Sequence, residues 1–271
     1  MRAIPDNNLD YPVLIKTTKG SGSGFFLNWE DKKIFLVTAL HVLFKKDEQG
    51  NSSLISNNVE LLFYRDGIVQ TIQILDLREL TIIKNDTDDI VLVQISDTKK
   101  VDGEKHEGVF LKGVVSTGGR PRILTLKREF IKKFNEILIS NTVYVLGYPN
   151  SLSVKIGSES PEIDADSPLL RVGIVAGKNL KKKTIILDCP VYFGNSGGIA
   201  LEVEETPGEK KFRAIGVVSK YVPFIDQLKS QRLGYVNTTS ENSGYSVVVP
   251  FDSIIALIEE SAVLEGVATV R

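Results

Sequence analysis

Short runs rich in valine, isoleucine, phenylalanine and tyrosine recur between turn residues along most of the chain. This spacing is typical of an all-β sandwich or barrel and differs from the alternation of strands and longer helices in α/β proteins. The runs form two sets on either side of the segment 96–140, which predicts two stacked barrels. The predicted strands are 13–18, 23–29, 33–39, 59–64, 68–75 and 90–95, then 142–147, 169–176, 184–188, 198–203, 212–219 and 244–249.

The segment between the two sets begins polar and continues with a helical pattern over 125–138. Its apolar residues share one helical face: Leu126, Phe130, Ile131 and Phe134. Its basic residues share the other: Lys127, Arg128, Lys132 and Lys133. We predict a connecting helix with a solvated basic face, the alternative being a patch for phosphate or a partner. A second helix is expected over 250–260, capped by Asp252 or Ser253.

These patterns divide the chain into three parts. Residues 1–117 form the first barrel, 118–140 the partly helical connection, and 141–271 the second barrel with the C-terminal helix.

The chain of 271 residues has a formal charge of −1. No global basic field therefore argues for nucleic acid or membrane binding.

Cysteine usage and the first residues bear on the compartment. Cys189 is the single cysteine, so no intrachain disulfide forms, and the residue is expected to be a small buried hydrophobe. Residues 1–12 lack the apolar core of a signal peptide. A cytoplasmic location is the resulting expectation.

One five-residue run carries the strongest chemical signal, Gly194-Asn195-Ser196-Gly197-Gly198. A serine hydroxyl needs a base within hydrogen-bond reach and donors for the developing oxyanion. The run also satisfies Gly-x-Ser-x-Gly, the nucleophile elbow of α/β-hydrolases. In that fold the histidine follows the serine, whereas His41 and His106 both precede Ser196. An α/β-hydrolase triad is therefore excluded.

The two histidines differ in their surroundings. His106 lies among charged residues and glycines over 102–108, which predicts an exposed loop. His41 follows the apolar strand 33–39, a rigid element able to hold an imidazole. An orienting carboxylate is expected from Asp89 at the start of the apolar strand 90–95, with Asp88 as the weaker alternative.

Cofactor motifs are missing from the sequence. No spacing of histidine or cysteine with acidic residues forms a zinc site, so no metal is predicted. No phosphate-binding loop of the Gly-Lys-Ser/Thr form occurs. The run Gly20-Ser21-Gly22-Ser23-Gly24 is interpreted as a hairpin or bulge between strands. No cofactor is expected.

In order along the chain, several segments resemble the chymotrypsin-type, or trypsin-like, serine peptidase family, especially its disulfide-free bacterial branch. The segments are 22–26, 38–42, 89–92, 194–198, 214–219 and 243–250, and the resemblance covers about residues 12–260. It implies two six-stranded antiparallel barrels with the active site in the cleft between them. It also implies an endopeptidase that acts on polypeptides.

The resemblance assigns roles to particular residues. Ser196 is the implied nucleophile, His41 the base and Asp89 the orienting acid, with the N–H groups of Gly194 and Ser196 as the oxyanion hole. The implied substrate pocket is built from Pro190, Phe193, Ser219 and Tyr221. Because Pro190 carries no charge, an apolar or small substrate side chain is expected there.

One departure from the family pattern concerns activation. Asn195 stands where secreted members carry an aspartate that pairs with a new N-terminus. We therefore expect no activation by N-terminal cleavage. Restricted specificity or a regulatory protein partner, acting through 96–140, is expected to control the enzyme. The alternative is a catalytically idle double barrel that serves as a binding or scaffold module.

Overall fold

The structure, a computed structural model, describes residues 9–102, 105–116, 121, 123–153, 162–229, 232 and 234–268. The first unit contains β1 (Pro12–Thr17), β2 (Gly20–Trp29), β3 (Lys33–Ala39), α1 (Leu40–Leu43), β4 (Phe44–Lys46), β5 (Ser52–Leu54), β6 (Val59–Arg65), β7 (Ile68–Ile74), β8 (Ile82–Asn85), β9 (Ile90–Asp102), β10 (Lys105–Phe110) and β11 (Val114–Ser116). Strand β12 (Thr125–Lys127) follows in the connection. The second unit contains β13 (Thr142–Gly147), β14 (Leu169–Asn179), β15 (Thr184–Asp188), β16 (Ile199–Thr206), β17 (Glu209–Lys229), β18 (Val236–Pro250) and α2 (Phe251–Ala268).

The two units differ in how their sheets are arranged. In the second unit six strands form a closed barrel in the order β13-β14-β15-β18-β17-β16. In the first unit a ten-stranded sheet follows the path β10-β9-β3-β2-β1-β6-β7-β11, with β12 beside β2 and β8 beside β9. The predicted double-barrel fold with a C-terminal helix is confirmed. The first sheet is larger than the six strands expected and forms a half-barrel rather than a closed ring.

Strands β2 and β3 are buried on both faces over residues 25–27 and 34–37, which explains why these stretches are continuously apolar. Successive side chains of a strand point to opposite faces. Phe26 and Leu36 therefore point into the first unit, whereas Phe25 and Phe35 point toward the second.

An apolar layer joins the two units. From the second unit, Leu146 and Leu201 pack against the outward face of β2 and β3, and α2 covers this layer with Phe251 and Ile254. The ring centroids of Phe25 and Phe251 lie 5.8 Å apart in an edge-to-face arrangement. Burial of this layer fixes the relative position of the two units, and the cleft at its edge carries the candidate site.

The helix predicted over 125–138 is wrong. Residues 125–127 form β12, which pairs in parallel with β2 so that Leu126 lies opposite Leu27. Two short 3-10 turns follow, Arg128–Phe130 and Phe134–Glu136. The four apolar residues do not share one face as the helical spacing predicts, because Leu126 and Phe134 are buried whereas Phe130 is 43% exposed. The conformation of residues 125–127 is therefore determined by their pairing with β2, a segment far away in the sequence.

His106 lies in a strand and not in the exposed loop that its neighbours predicted. It belongs to β10, where it pairs with Lys100 of β9. The glycine run beginning at Gly20 lies in β2, and the hairpin turn precedes it at Thr18 and Lys19. Within the described residues, no helix combines the length and apolarity needed to cross a membrane.

Lys132 is buried, contrary to the solvated basic face predicted for its segment. Its Nζ lies 3.0 Å from Glu202 Oε2 and 2.7 Å from Glu204 Oε1, and the Glu202 side chain is fully buried. Burial lowers the pKa of Lys132, but hydrogen bonds and charge from the two glutamates outweigh it and raise the pKa. The pattern of lysines predicted a surface because it contains no information on the acidic residues of β16.

Replacing Lys132 with methionine is expected to lower the free energy of unfolding by about 3 kcal/mol, because the buried Glu202 carboxylate loses its counter-ion. Urea denaturation followed by fluorescence measures the change. Lys210→Met is the control, since its ion pair with Glu205 is exposed and is worth under about 1 kcal/mol. Equal losses in the two variants would contradict the structural role of Lys132.

Cys189 lies in the core of the second barrel and is fully buried. Burial raises the pKa of its thiol to about 11. We expect a thiol reagent such as DTNB to react with it only after the protein unfolds, because both access and thiolate formation are suppressed. Reaction of the native protein within minutes at pH 8 would rule out this placement.

Candidate active site

The candidate base lies on the one-turn helix α1, directly after β3. The N–H of Leu40 donates to the Asp89 carbonyl at 2.9 Å, which ties the start of α1 to the turn before β9. The His41 side chain is 51% exposed, so its imidazole is accessible from the cleft. Antiparallel pairing of β3 with β9 places Ala39 opposite Ile90 and so brings His41 to residue 89.

Asp89 holds the imidazole through its carboxylate. His41 Nδ1 lies 2.8 Å from Asp89 Oδ2 and 3.0 Å from Oδ1, and the His41 backbone N–H donates to Oδ1 at 3.1 Å. The Ser219 hydroxyl donates to Oδ2 at 2.7 Å. These contacts favour the tautomer with the proton on Nδ1, which leaves Nε2 free to accept one.

The electrostatics of Asp89 favour the ionised form. Burial raises the pKa of its carboxyl group, but the hydrogen bonds and charge of His41, with the Ser219 hydroxyl, more than compensate and lower it. The carboxylate therefore stays charged at neutral pH and can stabilise an imidazolium.

Asp88 makes its hydrogen bonds within the turn that precedes β9. Its N–H donates to Asn85 Oδ1 at 2.9 Å, and its carboxylate accepts from Asn85 Nδ2 at 3.4 Å. Asp89 has a left-handed backbone with φ of 58°, a conformation that aspartate tolerates better than most residues. This single backbone angle turns Asp89, rather than Asp88, toward His41.

Ser196 opens on the same cleft as His41. A cavity of about 210 Å³ is lined by His41, Gly194 and Ser196 among others. The Ser196 hydroxyl donates to the Ser219 carbonyl at 2.9 Å. Among the described residues no hydrogen bond joins it to His41.

Gly194 has a backbone that requires glycine. Its φ is 100°, and a Cβ there would lie 1.9 Å from Asn150 Oδ1 and 2.2 Å from the Tyr148 carbonyl oxygen. The preceding carbonyl, that of Phe193, accepts from the N–H and the hydroxyl of Ser151 at 3.3 and 3.1 Å. Since a trans peptide directs its N–H opposite its C=O, the Gly194 N–H points away from Ser151.

The N–H groups of Gly194 and Ser196 have no acceptor within the described part of the chain. Two neighbouring backbone donors without a protein partner are what an oxyanion requires. Asn195, between them, is 1% exposed, and its Oδ1 accepts from the Tyr192 N–H at 3.0 Å. Because the Asn195 side chain is a neutral amide, this hydrogen bond allows it to be buried without a counter-ion.

The predicted pocket residues fall into two groups. Phe193 is 71% exposed, and its ring meets that of Tyr221 edge to face with the centroids 5.9 Å apart. Pro190, which is close to Phe193 in the sequence, is half-buried. Ser219 is buried and contacts both Asp89 and Ser196. Sequence reasoning assigned Ser219 to the pocket wall and missed its contact with the carboxylate, which no local motif signals.

Among the described residues, no group of three or more histidine, cysteine, aspartate or glutamate side chains has the arrangement of a metal site. The cleft itself brings together the Ser196 hydroxyl, the His41 imidazole with the Asp89 carboxylate, and the backbone N–H groups of the Ser196 loop.

Similar folds occur among solved structures. Human heparin binding protein matches with a TM-score of 0.50 at 12% identity over 95% of each chain. A thermostable serine protease, AL20, from an extremophilic microorganism matches with a TM-score of 0.47 at 12% identity, over 91% of this chain and 93% of that one. Rv3671c from M. tuberculosis H37Rv, in an inactive form, matches with a TM-score of 0.43 at 13% identity, over 94% and 90%.

The chain has the double-barrel fold of chymotrypsin-like serine proteases. A scan of the sequence finds no matching family model and no similar curated protein. At identities this low, the structural likeness establishes the fold alone.

Proposed function

We propose that the protein is a serine endopeptidase that hydrolyses peptide bonds through Ser196, His41 and Asp89. The observation that carries the proposal is the double contact of Asp89 with the Nδ1 and the backbone N–H of His41, in a cleft that also exposes Ser196. A carboxylate that fixes a histidine tautomer beside a serine is the arrangement that general-base activation of a hydroxyl needs.

Catalysis begins with a change in the hydrogen bond of Ser196. Its hydroxyl proton leaves the Ser219 carbonyl and turns toward His41 Nε2. Hydrogen bonds between catalytic groups are commonly completed only when substrate is bound.

His41 then takes the hydroxyl proton as Ser196 Oγ bonds to the scissile carbonyl carbon. The carbonyl π pair moves onto oxygen, and the N–H groups of Gly194 and Ser196 stabilise that oxyanion. Asp89 stabilises the imidazolium, which next gives its proton to the leaving amine as the C–N bond breaks. In the second half of the reaction, water gives a proton to His41 and attacks the carbonyl carbon of the acyl-enzyme. His41 then returns a proton to Ser196 Oγ as the ester C–O bond breaks, which releases the acid product and the free serine.

Labelling with a fluorophosphonate probe tests the proposal. The native protein is expected to form a covalent adduct, located on Ser196 by peptide mass spectrometry. Heat-denatured protein and His41→Ala are expected to remain unlabelled, because the hydroxyl needs its base. An adduct elsewhere, or equal labelling of the denatured sample, would sink the proposal.

One observation favours a second candidate, a catalytically idle double barrel used as a binding module. The Ser196 hydroxyl is bonded to the Ser219 carbonyl, which lowers its readiness to attack. A folded protein that shows no adduct after prolonged exposure to the probe would favour this candidate over the peptidase.

The proposed enzyme is intracellular and of restricted specificity, with control by a protein partner acting through the segment 96–140. The aromatic pair formed by the exposed Phe193 and the half-buried Tyr221 supports a preference for apolar substrate side chains. A library of short fluorogenic peptides should show this preference, whereas unfolded casein should be cut slowly by the purified protein. Rapid, indiscriminate digestion of casein would contradict restricted specificity.

A further inference from the structure

We propose that Ser23, a residue of the first unit, is a positioning residue that sets the oxyanion hole of the second. The inference rests on the proposed peptidase function and deepens it. Ser23 is fully buried in β2, within the run of glycines and serines at 20–24 for which the sequence predicts a hairpin or bulge. Its hydroxyl and its backbone N–H both donate to carbonyls of the loop that carries Ser196, and its own carbonyl accepts from Thr38.

The Ser23 hydroxyl makes two hydrogen bonds across the boundary between the units. It donates to the Gly194 carbonyl at 2.6 Å and accepts from the Tyr148 N–H at 2.8 Å. A serine hydroxyl has one proton to donate, and here that proton is committed to the peptide group that follows Gly194.

The Ser23 backbone holds the same loop from the other side. Its N–H donates to the Ser196 carbonyl at 2.8 Å. Its carbonyl accepts from the Thr38 hydroxyl at 2.6 Å and lies 1.9 Å from where a Cβ of Gly197 would stand. Residue 197 must therefore be glycine for β2 to approach the loop this closely.

The consequence concerns the direction of the Gly194 N–H. Ser151 holds the carbonyl before Gly194, and Ser23 holds the carbonyl after it. With both flanking peptide planes fixed, the Gly194 N–H has one direction, away from Ser151, and stays free for an oxyanion. Glycine itself imposes no such preference, because its backbone has the widest range of conformations.

This arrangement makes the oxyanion hole depend on the docking of the two units. The donors belong to the second unit, whereas the hydroxyl that orients them comes from the first. His41 and Asp89 also come from the first unit, so the base and the oxyanion donors are assembled by the same packing event.

The test compares Ser23→Ala with the parent on a chromogenic ester and on a peptide aldehyde inhibitor. The ester's kcat is expected to fall about 10- to 100-fold, less than the 10²–10³ that removal of a direct donor costs. KM should change by less than about threefold, since ground-state binding is untouched. The aldehyde, whose hemiacetal oxygen occupies the oxyanion site, should lose affinity by a similar factor.

Ser96→Ala is the matched control. Ser96 is also fully buried in the first unit, and its hydroxyl also donates to a backbone carbonyl, that of Asp97 at 2.9 Å. A purely structural effect would lower the melting temperature of both variants and leave kcat unchanged. Ser23→Cys retains a weaker donor and is expected to lie between parent and Ser23→Ala, which also covers the case in which the alanine variant folds poorly.

Failure of this inference is distinguishable from failure of the proposed function. A parent protein that forms no fluorophosphonate adduct overturns the function. An active parent whose kcat and aldehyde affinity survive in Ser23→Ala overturns the role of Ser23. A crystal structure of Ser23→Ala decides independently of activity: an unchanged Gly194 carbonyl direction would refute the role, and a rotated peptide would support it.

Discussion

Replacing Ser196 with alanine is expected to lower kcat/KM by about 10⁶, since removal of a catalytic nucleophile leaves only binding and oxyanion stabilisation. The remaining rate should be about 10³–10⁴ above that of water, supplied by the backbone donors. Hydrolysis of a fluorogenic peptide measures the loss. The free energy of unfolding should change by less than about 1 kcal/mol, because the hydroxyl bonds only the Ser219 carbonyl among the described residues.

Ser246→Ala is the control for this change. Ser246 is a fully buried serine of the same barrel, on β18, outside the candidate site. Its replacement is expected to leave kcat/KM within about twofold of the parent. A Ser196→Ala protein that retains more than about a tenth of the parental rate would exclude Ser196 as the nucleophile, given the magnitude expected.

Replacing Asp89 with asparagine is expected to lower kcat/KM by about 10⁴ at neutral pH. The amide removes the charge that stabilises the imidazolium and can donate to Nδ1, which would place the histidine proton on Nε2 and block it as a base. The left-handed backbone of residue 89 should persist, since asparagine tolerates that conformation as well as aspartate does. The loss is therefore chemical and not structural.

Asp88→Asn separates the two neighbouring carboxylates. Asp88 bonds only to Asn85 among the described residues, so its replacement is expected to leave kcat/KM within about threefold of the parent. The same peptide assay measures both variants, with circular dichroism to verify folding. Comparable losses in the two variants would show that His41 is not oriented by Asp89 specifically.

Local patterning predicted much of the fold. Residues 33–39, 142–147 and 184–188 form strands with the predicted bounds, because their apolar β-branched residues and flanking turns carry the signal locally. The connection at 125–138 was predicted as a helix. Its actual conformation depends on β12 pairing with β2, about a hundred residues earlier in the chain, and pairing between such distant segments leaves no local period.

The candidate site likewise combines features that the sequence predicts with contacts that only the folded structure shows. The type and order of His41, Asp89 and Ser196 along the chain excluded one hydrolase fold and predicted another. Ser219 and Ser23 were not recognised in their present contacts, because a serine makes a hydrogen bond in almost any polar surrounding. Only the folded chain shows that one contacts Asp89 and the other Gly194.

The sequence by itself determined the strand-rich architecture and the chemical groups available to the cleft, since both follow from residue types and their order. The tertiary structure decided which aspartate meets His41, through a left-handed backbone at residue 89, and which way the Gly194 peptide faces, through a hydroxyl from the other unit. These outcomes depend on contacts between segments far apart in the chain. Burial of the apolar layer between the two units brings those segments together.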